Sequence, residues 1–163
     1  MEAKEESSGR EQFLPESLSS PGLWLIAITL LGAVLRALFL SRKSLWLDEA
    51  WSAYRASVPL TDLAHQVFGE GYVNMGLYHL FMHWWTELAG SSEAALRAPS
   101  VIFAAATVPI VYAIGRELFD TETGLLAALL MAVNVSCIQF AQQARGYAML
   151  VMMVSLSTLL FLQ

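Results

Sequence analysis

Two adjacent carboxylates, Asp48 and Glu49, lie just beyond a long apolar segment and between two tryptophans, Trp46 and Trp51. The apolar segment, residues 22–40, is long enough to cross a bilayer as a helix, because a helical span needs about 20 residues. Lipid surfaces are usually anionic, so the residues that anchor the end of a span are mostly Lys or Arg. An acidic pair at this place therefore indicates chemistry or ion binding at the boundary between membrane and water.

A second group of polar residues follows in the segment 76–90. His79, His83 and Glu87 are spaced i, i+4 and i+8, so a helix would place them on one face. Histidine and carboxylate are common zinc ligands, but histidines also lie at interfaces without any metal. The segment is short and rich in tryptophan, which favours a helix lying along the membrane surface over a short fifth span.

The composition is that of an integral membrane protein. Of the 163 residues, 56% are hydrophobic and 14% are charged, and the mean hydropathy is +0.54. Ordinary soluble domains carry about 25% charged residues. The formal charge of −5 comes largely from the first 20 residues, so the sequence offers no surface for nucleic acid. The single cysteine, Cys137, excludes a framework of disulfides.

Four apolar segments are expected to span the membrane: residues 22–40, 98–115, 124–141 and 147–163. Their continuous apolar character predicts helices, since an open strand cannot satisfy its backbone in lipid. Residues 1–20 are polar and predict a disordered cytoplasmic tail, not a signal peptide. The expected fold is thus an all-α, polytopic protein of the cell membrane, with two or three short surface helices in the loop 41–97.

Charge alone gives an uncertain orientation. The loop 41–97 carries more positive charge than the tail, so the positive-inside rule would place it in the cytoplasm. The last apolar segment runs to Gln163 without a polar flank, which predicts that the helix continues in a longer protein.

Five short motifs follow one another along the chain: LWLDEAWS at 45–52, NMGLY at 74–78, SSEAALRAPSVIFA at 91–104, GRELFDTETGLLAALLMAVN at 115–134 and QQARGYAMLVMM at 142–153. Their order resembles the N-terminal part of the GT-C glycosyltransferases. The resemblance is closest to the bacterial family 39-like branch, which includes protein O-mannosyltransferases and lipid A aminoarabinose transferases. One departure is at Met75 and Gly76, where the family has two prolines before Leu-Tyr.

This resemblance implies a membrane glycosyltransferase that moves a sugar from a polyprenyl-phosphate donor to an acceptor, with inversion in a single displacement. It implies that residues 21–163 are the N-terminal part of the transferase domain and that the loop 41–97 is external, contrary to the count of charges. Such a fragment is expected to be inactive alone, because the groove for the lipid carrier includes later helices. The acceptor stays open, and a divalent metal is a possible cofactor.

The resemblance also implies roles for single residues. Asp48 is the candidate general base for the acceptor hydroxyl, and Glu49 is its adjacent support. Arg97 and Arg145 are candidate partners of the donor phosphate, and Tyr147 is a candidate contact to donor or acceptor.

Plainer interpretations exist for each of these residues. The acidic pair could simply favour a helix N-terminus, the arginines could snorkel at the ends of spans, and Tyr147 could belong to the interfacial aromatic belt. Inside the spans, Arg36 is expected to snorkel or to pair with a carboxylate, and Asn134 to bond a neighbouring helix. Two other functions therefore stay open: a metal-dependent membrane enzyme that uses His79, His83 and Glu87, and a membrane subunit without enzymatic activity.

Overall fold

The computed structural model describes residues 20–42, 44–70 and 75–163, and its regular elements within these ranges are all helical. In chain order they are α1 (Pro21–Ala37), α2 (Leu47–Ser57), α3 (Leu60–His65), a π-helical turn (Gln66–Glu70), α4 (Gly76–Ala89), α5 (Glu93–Leu118), α6 (Thr121–Val133), α7 (Val135–Ala141) and α8 (Tyr147–Leu162). The all-α prediction is confirmed for this part of the chain. Nearly all of the predicted tail, and Asn74 of the NMGLY motif, lie outside the described residues.

The long helix α5 is the centre of the structure and packs against α1, α6 and α8. It begins after Ser92, whose hydroxyl accepts the Ala95 N–H at 3.2 Å. Pro99 lies one turn further on and has no N–H to donate to the Ala95 carbonyl. The indole Nε1 of Trp85, on α4, donates to that carbonyl instead, at 2.8 Å. The surface helix α4 is therefore attached to α5 at the one-turn interval where Pro99 leaves a backbone carbonyl of α5 without its helical N–H donor.

The helices α5 and α6 form a tight antiparallel pair. Asp120 begins α6, and its carboxylate accepts the Thr123 N–H at 2.7 Å. Gly115 and Gly124 face each other so closely that a Cβ added at Gly115 would lie 2.9 Å from the Gly124 Cα. Small residues at a crossing allow backbones to approach closely, which is a common way to join helices in membranes.

The predicted span 124–141 is not one straight helix, because it breaks at Asn134 with a bend of 57° between α6 and α7. The Asn134 side chain accepts the Cys137 N–H at 3.0 Å and so begins α7. The buried Arg36 donates to the Ala132 and Met131 carbonyls at 2.7 and 2.8 Å, where α6 ends. Arg36 thus neither snorkels nor pairs with a carboxylate, and the bond of Asn134 lies within its own segment, not between helices.

Membrane-spanning character is clearest for α5, which is long and apolar enough to cross a bilayer. The bent pair α6–α7 passes the same test when taken together, whereas α1 and α8 are apolar but have only 17 and 16 residues. The described residues thus contain one clear span, or two if the bent pair is one. At the end where α5 and α8 begin, α2 packs on α4, and their junction is filled by buried residues that include Ala56, Tyr78, Met82 and Leu96.

Candidate active site

Glu49 is a buried carboxylate that joins three parts of the chain, and only 2% of the residue is exposed. Its Oε1 accepts from the Arg97 Nε at 2.9 Å and from the Ala144 N–H at 2.8 Å. Its Oε2 accepts from the Arg97 Nη2 at 2.8 Å and from the Trp46 N–H at 3.0 Å. One side chain therefore holds together the start of α2, the start of α5 and the connection between α7 and α8.

Arg97 is 3% exposed and makes a bidentate ion pair with Glu49. Its guanidinium also donates to the Leu40 and Ser44 carbonyls, in the segment that follows α1. Bidentate pairs of this kind are strong and fix geometry as well as charge. Arg97 thus ties α5 to the connection between α1 and α2.

The ionisation of Glu49 follows from these contacts. Burial acts to raise the pKa of its carboxyl, but the hydrogen bonds from Arg97, Ala144 and Trp46 outweigh burial and leave the pKa below the usual value. Hydrogen bonds to the charged form of an acid favour that form. Glu49 is therefore a carboxylate at neutral pH.

Asp48 has very different surroundings from its neighbour. Its side chain is 75% exposed, and its Oδ2 lies 2.9 Å from the Nη1 of Arg145, whose side chain is 22% exposed. The Nη2 of Arg145 donates to the Tyr147 hydroxyl at 3.2 Å, and the guanidinium lies over the Tyr147 ring. The structure thus brings together three of the residues predicted for the site.

The helix geometry of α2 explains why two adjacent acids point in different directions. Successive residues of an α-helix are separated by about 100° of rotation, so Asp48 and Glu49 cannot share a face. Glu49 bonds to the peptide N–H of Ala144, and Asp48 pairs with the next residue, Arg145. The buried hydrogen bond between Glu49 and Ala144 therefore sets the distance between Asp48 and Arg145.

An open cavity of about 250 Å³ lies beside Asp48, and we call it the Asp48 cavity; it is lined by Asp48, Trp51, Ser52, Arg55, Met75, His79 and Arg145. It contains one carboxylate and two guanidinium groups. Arg55 also donates to the Gln66 side chain at 3.3 Å and lies over the Trp51 ring. The cavity can thus accept a proton and bind an anion in the same place.

Sequence reasoning missed several residues of this lining. Arg55 is seven positions after Asp48, and Trp51 and Ser52 are three and four positions after it, which is the spacing of one helical face. That spacing was present in the sequence and could have identified them. His79 was considered only as a metal ligand.

The predicted metal ligands do not form a metal site. Within the described ranges, no three or more His, Cys, Asp or Glu residues are grouped so that they could hold a metal ion. His79 lines the Asp48 cavity, the Nδ1 of His83 bonds to the Ala56 carbonyl at 2.9 Å, and Glu87 is exposed. Helical spacing put the three residues on one side of α4, but packing gave each a different environment. The described residues therefore give no support to the alternative of a metal centre at His79, His83 and Glu87.

Comparison with known proteins decides the family. The family model described as dolichyl-phosphate-mannose-protein mannosyltransferase matches residues 77–163, which is more than half of the chain. The chain belongs to this family. No curated protein and no solved structure matches the chain.

Membership of the mannosyltransferase family confirms the predicted resemblance to GT-C glycosyltransferases. The family consists of membrane glycosyltransferases that use sugars carried on polyprenyl phosphate. The matched residues include Arg97, Arg145 and Tyr147, whereas Asp48 and Glu49 precede the matched part. The roles of all five residues are therefore argued from their geometry.

Proposed function

We propose that this protein transfers a sugar from a polyprenyl-phosphate donor to an acceptor hydroxyl in the Asp48 cavity. The observation that carries the proposal is the pair formed by Asp48 and Arg145, a solvent-exposed carboxylate beside a guanidinium in an open cavity. Transfer from a lipid phosphate needs a proton acceptor for the nucleophile and positive charge for the leaving group. Both groups are present at the end of the bundle where α5 and α8 begin.

In the proposed reaction, Asp48 takes the proton of the acceptor hydroxyl while that oxygen attacks the anomeric carbon of the donor. The bond between this carbon and the phosphate oxygen breaks on the opposite side, so the product has inverted configuration. Arg145 and Arg55 bind the departing phosphate, whose negative charge increases as the bond breaks.

The ion pair of Asp48 and Arg145 implies that the donor phosphate binds before the acceptor hydroxyl loses its proton. A donor phosphate competes with the carboxylate of Asp48 for the guanidinium of Arg145. When Arg145 moves to the phosphate, its ion pair with Asp48 breaks and leaves the carboxylate open to the acceptor hydroxyl. Tyr147 supports this arrangement because its hydroxyl accepts from Arg145 and orients the guanidinium.

Arg97 and Glu49 have a positioning role in this proposal. Neither residue lines the Asp48 cavity, and the guanidinium of Arg97 is turned toward Glu49 and two backbone carbonyls. The predicted contact of Arg97 with the donor phosphate is therefore replaced by a structural role. Glu49 acts through the Ala144 peptide to hold Arg145 in place.

The proposed membrane organisation is multi-pass in the cell membrane. The spans are α1, α5, the bent pair α6–α7 and α8, within a transferase domain at 21–163, and α2 to α4 lie on the external surface. The outward faces of α1 and α8 are strongly apolar and include Leu30, Val34, Leu150 and Phe161. Such faces are stable in lipid and costly in water, which supports the assignment of both helices as spans. The external position of 41–97 rests on the family resemblance.

The decisive experiment replaces the proposed base. Asp48→Asn keeps the size of the side chain but removes its ability to accept a proton, so we expect transfer to fall by about 10²-fold or more. Release of labelled sugar from a polyprenyl-phosphate donor is measured in native membranes, which contain the acceptor, from cells that produce the full-length enzyme with or without the substitution.

The matched control is Asp62→Asn, which changes an exposed acid on α3 that does not line the cavity. Equal membrane insertion of both variants is checked by extraction with carbonate. A wild-type transfer rate in Asp48→Asn would show that Asp48 is not the base of the transfer reaction.

A further inference from the structure

A second open cavity, of about 380 Å³, lies on the other side of the pair formed by Glu49 and Arg97. We call it the glutamine cavity; it is lined by Phe39, Leu40, Arg42, Trp46, Glu49, Arg97, Gln139, Gln142 and Gln143. It shares no lining residue with the Asp48 cavity. The two adjacent acids of α2 therefore border two separate cavities, with a buried ion pair between them.

The charges of the glutamine cavity are poorly suited to an anion. Glu49 neutralises Arg97, which leaves Arg42 as the uncompensated charge among the lining residues described. The guanidinium of Arg42 lies over the Phe39 ring, with 4.6 Å between its central carbon and the ring centroid. A phosphate in this cavity would meet the Glu49 carboxylate as well as one arginine. By contrast, the Asp48 cavity offers two arginines that are not paired with Glu49.

The amide groups of the cavity are well suited to hydroxyl groups. Gln142 uses its amide nitrogen to donate to the Leu38 carbonyl at 2.9 Å. The side chains of Gln139 and Gln143 make no hydrogen bond to any residue that the structure describes. Each of these two amides offers a donor and an acceptor, as a sugar hydroxyl does.

An aromatic ring completes the lining. Trp46 lines the cavity and is largely exposed, and its backbone N–H donates to Glu49. Small-molecule sites combine apolar or aromatic surface with a few polar groups that set orientation. A pyranose ring has apolar C–H faces and a rim of hydroxyl groups, so it matches a tryptophan beside amides.

We propose that the glutamine cavity binds a neutral carbohydrate that does not react. The buried pair of Glu49 and Arg97 separates this ligand from Asp48, so the proposal goes beyond the transfer reaction and does not depend on it. Gln139 and Gln143 bond the sugar hydroxyls, Arg42 adds a donor, and Trp46 packs against the ring.

The test measures sugar binding without measuring activity. The full chain is placed in lipid nanodiscs, and saturation-transfer NMR is recorded with methyl α-mannopyranoside and methyl β-glucopyranoside as probes. We expect saturation transfer to at least one probe in the wild type. Each lost hydrogen bond weakens binding by about fivefold, so the double variant Gln139→Leu/Gln143→Leu is expected to lose most of the signal.

Two controls make the result specific. Gln163→Leu makes the same change at the exposed end of α8, and Asp48→Asn alters the other cavity, so both are expected to keep wild-type binding. Thermal unfolding of the double variant checks its fold, which is expected to be intact because the two amides make no bond to the described residues.

Three outcomes would overturn the proposal: no saturation transfer to either probe in the wild type, equal binding by the double variant, or displacement of the sugar by inorganic phosphate. The last outcome would identify an anion site instead. Failure of the Asp48→Asn prediction for transfer would leave this binding result unaffected, so the two proposals are distinguishable.

Discussion

Glu49 controls the spacing of the Asp48 cavity although it does not line it. Its carboxylate accepts the peptide N–H of Ala144 and the N–H of Trp46. Asp48 is the chain neighbour of Glu49, and Arg145 is the chain neighbour of Ala144, so the bond between Glu49 and Ala144 lies next to the exposed pair. A shift of the buried carboxylate would therefore change the distance between the exposed base and its cationic partner. Small changes of position at a reacting centre have large effects on rate.

The substitution Glu49→Gln tests this structural role. It removes the negative charge that compensates the buried Arg97, and breaking a buried ion pair typically costs about 3–5 kcal/mol. We expect a clear drop in the midpoint of thermal unfolding, measured in detergent. The control Glu87→Gln makes the same change at an exposed position of α4 and is expected to unfold as the wild type does. Equal midpoints for the two variants would contradict the role assigned to Glu49.

The stability contributed by Glu49 is expected to depend on pH. The pKa of this carboxyl is lower in the folded protein than its ordinary value of 4.5. A lowered pKa contributes stability that is complete above the unfolded value and is lost as pH falls through the folded one. The difference in stability between the wild type and Glu49→Gln should thus be constant near neutral pH and begin to shrink below about 4.5. A difference that grows on acidification would contradict this assignment.

At the scale of single residues, the sequence predicted part of the candidate site. The cluster of Asp48, Arg145 and Tyr147 was expected, because the motifs around these residues resemble the family. The burial of Glu49 and Arg97 was not, because a motif does not show which of two adjacent acids faces the interior. Rotation of α2 by one residue would exchange their environments.

At the scale of elements, the type of structure was easier to predict than its interruptions. Continuous apolar sequence predicted helices, and helices were found. The break between α6 and α7 was missed although Asn134 and Ser136 are polar residues inside an otherwise apolar run. The carbonyls at the end of α6 are bonded by Arg36, which is more than 90 positions away in the chain and could not be paired with them from the sequence.

The crossing of α5 and α6 gives a prediction about Gly124. A Cβ at this position would lie 2.7 Å from the Tyr112 carbonyl oxygen, so Gly124→Ala must push the two helices apart. Overpacking of this kind costs about 1–3 kcal/mol. Thermal unfolding should show the loss, whereas Gly22→Ala, where the nearest atom is 3.7 Å away, should be nearly neutral. A stability of Gly124→Ala equal to that of the wild type would show that the helices are not in such close contact.

For the whole molecule, composition predicted a membrane protein, and the family confirms that class. The number of spans is less directly readable. Among the helices of the described residues, only α5 has enough length and apolar character alone, because α1 and α8 are short and α6 is bent against α7. Hydropathy measures transfer into lipid, but it does not measure whether a helix stays straight or how its ends are satisfied.

Labelling of single cysteines tests the proposed topology. In a Cys137→Ser background, Thr61→Cys places a thiol in the loop 41–97 and Glu122→Cys places one at the start of α6, both at exposed positions. A membrane-impermeant thiol reagent is expected to label the first variant in intact cells and the second only after permeabilisation. The reverse pattern would place the Asp48 cavity in the cytoplasm and end the proposal of an external reaction.

The bond between Trp85 and the Ala95 carbonyl restricts how this molecule can open to admit a lipid. If α4 slid along α5, the carbonyl above Pro99 would lose its donor, at a cost of about 1–3 kcal/mol. The surface helix is thus pinned in register with the central one. Entry of a long isoprenoid chain between α4 and α5 would therefore require this hydrogen bond to break.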